Sequence, residues 1–166
     1  RSALFLYLNR HGYNGLCRYN LKGLYNVPFG RYIHPYFPRK ELEGFVKKSH
    51  LAHFMHYDFI EAFKQAQIGD VIYCDPPYAP LSRTANFTTY TKGNFLESEQ
   101  QKLLHYAQDA CQRGVHVMIS NHDTDYTRAL YRDADEIHAF PVARTIACQG
   151  KKRVPVMELL AYYKPI

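Results

Sequence analysis

Hydrophobic and polar residues divide the chain into two parts of different character. Residues 51 to 166 alternate short apolar runs, typical of buried strands, with stretches of helical period. Residues 1 to 38 are rich in Tyr, Asn, Gly and Arg and show only weak periodicity. We therefore predict two domains, 1–50 and 51–166, with the change of character falling between residues 35 and 52.

After a first strand at 53–57, the second part is predicted to run strand, loop, helix, strand, helix, strand, strand. The predicted strands are 53–57, 71–74, 115–120, 136–142 and 154–163. The first predicted helix opens at Ser98, where Gln101 completes a capping-box pattern, and ends at Gly114. A polar turn at 121–124 begins a short second helix that runs to about Asp133. This order is typical of an α/β protein with a largely parallel sheet, in which the last two strands form an antiparallel hairpin.

One strand ends abruptly on the tetrapeptide Asp75, Pro76, Pro77, Tyr78. Adjacent prolines cannot continue a strand ladder, so these residues are predicted at the carboxyl edge of the sheet, where α/β proteins bind ligands. Asp75 and the Pro76 carbonyl only accept hydrogen bonds, which suits an amino group, while Tyr78 offers a flat ring for stacking. The motif predicts a site for an aromatic amine such as adenine or cytosine. A proline-rich turn with an incidental acid is the alternative.

Charge separates the two parts further. The chain carries a net charge of +6 and has a pI of about 9.1. Its first 50 residues hold nine basic residues against only two acidic ones, Glu41 and Glu43. This asymmetry favours a polyanion as the partner of the N-terminal part, and a solvated basic surface is the alternative.

The pair Asn14-Gly15 predicts a tight hairpin whose protruding tip carries Tyr13 and Leu16. Such a tip suits a wedge that enters between base steps and helps to extrude a base from the duplex. Arg18, just beyond the tip, is suited to bidentate pairing with guanine in the major groove. Phosphate contacts are predicted at Arg10 and Arg31. A surface hairpin with scattered arginines is the alternative.

Several long motifs, in order along essentially the whole chain, resemble those of the Dam-type DNA adenine methyltransferases. They are FLYLNR at 5–10, GYNGLCRYN at 12–20, NVPFGRY at 26–32, DPPY at 75–78 and SNHDT at 120–124. The resemblance implies S-adenosyl-L-methionine as methyl donor, the exocyclic amino group of adenine as acceptor, and double-stranded DNA with GATC as the typical site. It also implies a partial doubly wound, Rossmann-like methyltransferase sheet, joined to a small DNA-recognition subdomain with a β-hairpin.

The resemblance assigns roles to named positions of this chain. The catalytic set is Asp75, Pro76, Pro77 and Tyr78, and the cofactor-binding set is Asp58, Phe59 and Asp75. The DNA-binding set is Arg10, Tyr13, Asn14, Leu16, Arg18, Asn20, Pro28 and Arg31. Asp58 and Phe59 are expected to end the strand next to the catalytic one and to frame the adenosine of the cofactor. A helix N-cap Asp followed by a core-facing Phe is the alternative.

Members of this family carry a strand and a Phe-x-Gly-x-Gly turn that hold the methionine end of the cofactor. The chain opens at Arg1 and contains no such turn. We therefore expect it to be the C-terminal, target-recognition and catalytic portion of a methyltransferase, which needs the N-terminal segment of the same enzyme. A truncated or inactive DNA-binding remnant is the alternative. Methylation of a protein amide is disfavoured, because related enzymes use Asn where Asp75 stands.

Two loops of the second part are open to more than one interpretation. Phe87, Tyr90 and Phe95 follow the tetrapeptide in a long loop, where they would close over the base or the cofactor, or simply anchor the loop. The stretch 144–150 resembles a family loop near DNA. Ala147 and Gln149 depart from the Ser and Asn expected there.

Other residue types narrow the setting of the protein. His50, His53 and His56 recur at three residues, and ligand pairs on a helix usually recur at four, so no metal site is predicted. The four cysteines are far apart, which favours reduced thiols in a cytosolic protein. No apolar run is long enough to span a bilayer. We expect a cytoplasmic, nucleoid-associated protein of prokaryotic or phage-like type, without a membrane partner.

Overall fold

The structure is a computed structural model that describes residues 1–81, 95–143 and 155–166. It divides into two compact units, Arg1–Met55 and His56–Ile166. None of the helices within these ranges has the length and apolar character that crossing a bilayer would require.

A four-stranded sheet forms the centre of the second unit. Its strands are β1 (Val71–Cys74), β2 (His116–His122), β3 (Glu136–Val142) and β4 (Val156–Tyr163). Their order across the sheet is β1-β2-β4-β3. β1 lies parallel to β2, whereas β4 is antiparallel to both β2 and β3. The α/β class and the antiparallel final pair are as predicted.

The expectation of a largely parallel sheet is wrong for the described residues, where the sheet is mixed. β4 returns between β2 and β3, so two of the three strand pairs are antiparallel. The strand predicted at 53–57 is also absent from the structure. Phe54 is 73% exposed and Met55 59% exposed. An apolar run becomes a strand only where a neighbouring strand pairs with it.

The helices that accompany the sheet in the described ranges are α3 (Phe59–Gln65), α4 (Glu97–Gln112) and α5 (Asp125–Leu130). The capping box predicted for α4 does not form, because the helix begins before Ser98 and no side chain caps it. Instead, the negative side chains of Glu97 and Glu99 in the first turn stabilise the helix, because they lie at the positive end of its dipole. Gly114, as predicted, follows the end of α4, and its φ of +86° is one that glycine adopts without strain.

The core of the second unit lies between one face of the sheet and the helices. Alternate residues of β2 and β4 point into it, while α3 and α4 contribute the opposing side chains. The buried members of this cluster are Phe63, Leu103, Ala107, Ala110, Cys111, Val115, Val117, Ile119, Tyr131, Leu159, Ala161 and Tyr163.

The first unit consists of short elements and turns. α1 spans Ser2–His11, a single 3-10 turn spans Tyr13–Gly15, and α2 spans Arg39–Ser49. Two isolated antiparallel bridges join Gly12 to Phe29 and Tyr19 to Tyr25.

The predicted hairpin tip at Asn14-Gly15 is wrong. Asn14 does adopt a left-handed φ of 52°, but within the 3-10 turn that follows α1. The chain reverses further on, where the Asn20 N–H donates to the Leu24 carbonyl at 2.9 Å. The Asn20 side-chain oxygen also accepts from the N–H groups of Lys22 and Leu24, each at 3.0 Å. This side chain therefore builds the turn that the Asn-Gly pair was expected to supply.

Candidate active site

The Asp75 to Tyr78 tetrapeptide lies immediately after β1, at the carboxyl edge of the sheet. Because β1 and β2 are parallel, with Cys74 opposite Ile119, the carboxyl end of β2 meets the tetrapeptide at the same edge. Asp75 is exposed, while Pro76, Pro77 and Tyr78 are half-buried. The position predicted from the apolar run and the two prolines is the one observed.

Ser120 fixes the Asp75 carboxylate. Its hydroxyl donates to Asp75 Oδ1 at 3.1 Å and also lies 3.2 Å from the Cys74 carbonyl oxygen. Ser120 itself is only 3% exposed, so one carboxylate oxygen is held by a buried group while the side chain stays open to solvent. An acceptor that is both oriented and accessible can receive a hydrogen bond from an incoming amine.

Two side chains constrain the Tyr78 ring. Its hydroxyl donates to Glu158 Oε2 at 3.3 Å, and its ring meets the His122 ring edge-to-face, with centroids 5.0 Å apart. Burial raises the pKa of Tyr78 to about 12. The phenol is therefore neutral at physiological pH and presents an uncharged aromatic ring.

Buried amides hold the backbone on both sides of Tyr78. Gln100 Nε2 donates to the Pro77 carbonyl at 2.8 Å, and the Ala79 N–H donates to Asn121 Oδ1 at 2.8 Å. His122 Nδ1 lies 2.7 Å from the Ala79 carbonyl oxygen, a contact that requires the ring proton on Nδ1.

None of these supporting residues has a role predicted from the sequence. The Ser120-Asn121-His122 segment does end an apolar run with polar residues at a predicted sheet edge, so a signal for it existed. Gln100 and Glu158 had none, because each is one polar residue within an ordinary helix or strand pattern.

The structure gives Asp58 and Phe59 a different setting from the expected strand end. Asp58 is the N-cap of α3, and its Oδ1 accepts from the Ile60 N–H at 3.0 Å. Asp58 is exposed, whereas Phe59 is half-buried and packs against the core. The aromatic neighbours of Phe59, with centroids 6.0 to 6.4 Å away, are Phe63, Phe95 and Tyr106. Of this pair, only the carboxylate is freely accessible.

Two of the three arginines of the first unit expected at guanine or phosphate make contacts within that unit. Arg10 Nε donates to the Tyr36 carbonyl at 2.8 Å, and its guanidinium stands 5.5 Å from the centre of the Tyr36 ring. Arg18 donates through Nε and Nη2 to the side-chain and main-chain oxygens of Asn26, both at 2.9 Å. These contacts fix the planes of both guanidinium groups.

The other residues predicted to bind DNA are mostly exposed. The Tyr13 N–H donates to the Pro28 carbonyl at 2.9 Å, which joins two of them. Leu16 is half-buried, and its carbonyl accepts from the Tyr25 hydroxyl at 2.8 Å. The exposed ones are Tyr13, Asn14, Asn20, Pro28 and Arg31.

Some candidates fall outside the described residues, namely Phe87, Tyr90 and the stretch 144–150. Phe95 is described, and its contact with Phe59 in the core favours the loop-anchoring interpretation. Across the described ranges, no group of three or more His, Cys, Asp or Glu side chains is arranged to hold a metal ion.

Comparison with known proteins identifies the family of the chain. The model for D12 class N6 adenine-specific DNA methyltransferases matches residues 1–146. The chain belongs to this family. The resemblance noted in the sequence motifs is therefore confirmed.

Individual relatives carry a consistent name. The chain is 51% identical over 165 residues to the DNA adenine methylase of Escherichia coli strain K12, covering 99% of this chain and 59% of that protein. It is 52% identical to the DNA adenine methylases of Vibrio cholerae serotype O1 and Serratia marcescens, with 99% of this chain aligned in each case. The aligned share of those proteins is 60% and 61%. The chain thus spans about three fifths of the length of the curated relatives it matches.

Proposed function

We propose that this chain supplies the target-recognition and catalytic portion of a DNA adenine methyltransferase. The reaction is transfer of a methyl group from S-adenosylmethionine to the exocyclic amino group of adenine in double-stranded DNA, typically at GATC. The observation that carries the proposal is the exposed Asp75 carboxylate, held by Ser120 beside the constrained Tyr78 ring, at the carboxyl edge of the sheet. Membership of the family supports it.

The acceptors suit the chemistry of an aromatic amine. The lone pair of such an amine is delocalised into the ring, which makes the nitrogen a poor nucleophile. The Asp75 carboxylate and the Pro76 carbonyl accept its two hydrogens and favour a tetrahedral nitrogen with an available lone pair. The amine is thereby also oriented for in-line attack.

Tyr78 supplies the stacking surface for the target base. An adenine inside a duplex is inaccessible, so we propose that it is extruded and stacked on the Tyr78 ring. The exposed aromatic residues of the first unit, with the exposed Arg18 and Arg31, support a DNA-binding role. We place Arg18 at guanine, and Arg31 and the half-buried Arg10 at phosphates.

Residues of this chain are suited to bind the polar groups of the methyl donor. S-adenosylmethionine, when bound, supplies an electrophilic methyl group on sulfur. Its ribose hydroxyls and amino groups are hydrogen-bond donors, and the exposed carboxylates of Asp58 and Asp75 are matching acceptors. Phe59 supports Asp58 from the core side. The segment of relatives that this chain does not cover would complete the site, so we propose that the two parts act together.

The direct test replaces Asp75 with Ala in a full-length protein that contains this chain. Methylation of adenine in a GATC duplex should fall by at least about 100-fold, with the affinity for DNA changed only a few-fold. Asp109→Ala is the matched control, because it removes an exposed carboxylate that pairs with Arg113 on α4.

Undiminished methylation by Asp75→Ala would rule out the assignment of the catalytic carboxylate. A full-length protein that binds the duplex but shows no methylation and no cofactor binding would favour the DNA-binding remnant instead.

A further inference from the structure

Three polar residues form a connected cluster inside the core of the second unit. Gln100 on α4, Asn121 on β2 and Tyr131 after α5 are each 0% exposed. Asn121 Nδ2 donates to Gln100 Oε1 at 3.2 Å and to the Tyr131 hydroxyl at 3.1 Å. The Tyr131 hydroxyl in turn lies 3.4 Å from Gln100 Oε1. We call these three residues the amide cluster.

The amide cluster forms hydrogen bonds to the backbone on both sides of Tyr78. Gln100 donates to the carbonyl of the preceding residue, Pro77, and Asn121 accepts from the N–H of the following residue, Ala79, both at 2.8 Å. Asn121 Oδ1 also accepts from the His122 N–H at 3.0 Å. The peptide groups that flank Tyr78 are therefore tied to side chains that cannot move without disturbing the core.

Position in the sheet explains why side chains are needed there. The ladder between β1 and β2 ends at the pair Cys74 and Ile119, so the Pro77 carbonyl and the Ala79 N–H lie beyond it. Backbone groups that are removed from water must find other partners. The two amides supply those partners and fix the course of the chain where regular structure has stopped.

Stability alone does not account for such a cluster. Replacing bonded polar groups with apolar ones of the same shape is often nearly neutral for folding. What a polar cluster adds over an apolar one is directionality, because hydrogen bonds between amides hold only in a narrow range of geometry.

We propose that Gln100 and Asn121, bonded to each other and both contacted by the Tyr131 hydroxyl, are positioning residues that set the orientation of the Tyr78 ring for stacking of the target base. The inference rests on the proposed function, since it takes Tyr78 as the stacking residue. A displacement of about 1 Å at a reacting centre can lower a rate by about 100-fold. Weakening the hydrogen bonds from the amide cluster to the backbone around Tyr78 should therefore lower kcat more than it weakens substrate binding.

The kinetic test compares Gln100→Met with Leu103→Ala in a full-length protein that contains this chain. Met has a length similar to Gln but cannot donate to Pro77, whereas Leu103 lies one turn further along α4, is 2% exposed and packs in the core. Gln100→Met should lower kcat by about 10- to 100-fold, with KM for the GATC duplex and for the cofactor within about two-fold. Leu103→Ala should lower the melting temperature at least as much, yet keep kcat within about three-fold while folded.

Tyr131→Phe removes a hydroxyl that, among the described residues, bonds only to the two amides, so its loss of kcat should be smaller than that of Gln100→Met. An equal loss of kcat in Gln100→Met and Leu103→Ala would overturn the inference. So would an unchanged kcat in Gln100→Met.

Amide hydrogen exchange at Ala79 gives a readout that does not depend on activity. In Asn121→Ala the Ala79 N–H loses its acceptor, so its exchange should accelerate by at least about 10-fold while amides at the centre of β2 stay protected. Unaltered exchange at Ala79 would contradict the claim that the amide cluster holds the backbone next to Tyr78, even if the variant stays active. If the unaltered protein methylates no adenine, the proposed function fails and takes the stacking role with it, whatever the exchange shows.

Discussion

The two units of the chain are stabilised in different ways. In the described part of the second unit, His56–Ile166, twelve buried hydrophobic residues form one continuous cluster. In the first unit, Arg1–Met55, only Gly12 and Gly30 are buried. That unit relies instead on turns and on hydrogen bonds such as those from Arg10 to Tyr36 and from Arg18 to Asn26.

The difference matches the tasks that we propose for the two units. Methyl transfer needs reacting groups held to fractions of an ångström, and the second unit anchors its tetrapeptide to core residues. Recognition of a long polyanion needs many exposed side chains, and the first unit leaves its arginines and aromatic rings at the surface. A unit so poor in buried apolar surface also has little to gain from folding alone, so a binding partner would stabilise it appreciably.

The largest expected difference between the units is in the cost of truncating an apolar side chain. Ile119→Ala removes a fully buried side chain from β2 and should lower the free energy of unfolding by about 2–5 kcal/mol. Phe45→Ala removes a larger side chain that is 57% exposed, and should cost less than about 1 kcal/mol. Urea unfolding of the two variants measures both values. Similar losses would show that Phe45 is covered in solution and would break the comparison.

Glycines in left-handed conformations give the next largest contrast. Gly114 has a φ of +86°, and a Cβ there would lie 2.5 Å from Ile68 Cγ1. Gly23 has a φ of +75°, with nothing within 4 Å of the same position. Both Gly→Ala changes cost about 1–2 kcal/mol in backbone strain, and only Gly114→Ala adds a steric clash.

Thermal unfolding should therefore show a clearly lower melting temperature for Gly114→Ala. Gly23 lies in the first unit, where only Gly12 and Gly30 are buried, so Gly23→Ala should change the main transition little. If Gly23→Ala lowers the main transition as much as Gly114→Ala does, the turn in the first unit is part of the same cooperative structure as the sheet.

Local patterns predicted the elements that depend mainly on their own residues. The apolar run 71–74, the polar stop at Asp75 and the Thr124 start of α5 all lie where expected, because strand ends and helix caps are specified within a few residues. The predicted strand at 53–57 failed, because strand formation depends on a partner that the local sequence does not identify.

Other features needed information from distant parts of the chain. An Asn in a left-handed conformation suits a hairpin turn and a 3-10 turn alike, so Asn14-Gly15 did not distinguish them. The amide cluster joins Gln100, Asn121 and Tyr131 from three separate elements. Each residue alone fits an ordinary pattern, and only the packing of α4 and α5 on the sheet reveals the contact with the tetrapeptide.

A smaller difference between the two units is expected in the free energy of DNA binding. If the first unit recognises the target, Arg18→Ala should weaken binding of a full-length protein to a GATC duplex by about 1–3 kcal/mol, and should reduce discrimination against a scrambled duplex. Arg132→Ala in the second unit is the control, because its side chain is 78% exposed and has the same charge. Fluorescence anisotropy with both duplexes measures the effect. Equal weakening by the two changes would mean that Arg18 contributes only charge.

The smallest expected effect concerns two tyrosine hydroxyls. Tyr163 is 4% exposed, and its hydroxyl has no hydrogen-bond partner among the described residues, whereas Tyr25 donates to the Leu16 carbonyl at 2.8 Å. Tyr163→Phe should therefore leave the free energy of unfolding at pH 7 unchanged or raise it by up to about 1 kcal/mol. Tyr25→Phe should lose about 1 kcal/mol of local stability, seen as faster amide exchange around Leu16.

Alkaline pH separates the contribution of Tyr163 from that of its neighbours. Burial raises the pKa of Tyr163 above its ordinary value of 10.0, so the folded protein keeps the proton at a pH where the unfolded chain releases it. The stability linked to this group is fully present below pH 10 and declines as the pH rises beyond it, by at most about 1.4 kcal/mol per pH unit. Unfolding measured at pH 9 and at pH 11 should show a smaller loss in Tyr163→Phe than in the unaltered protein. An identical loss would mean that the Tyr163 hydroxyl reaches water before the core opens.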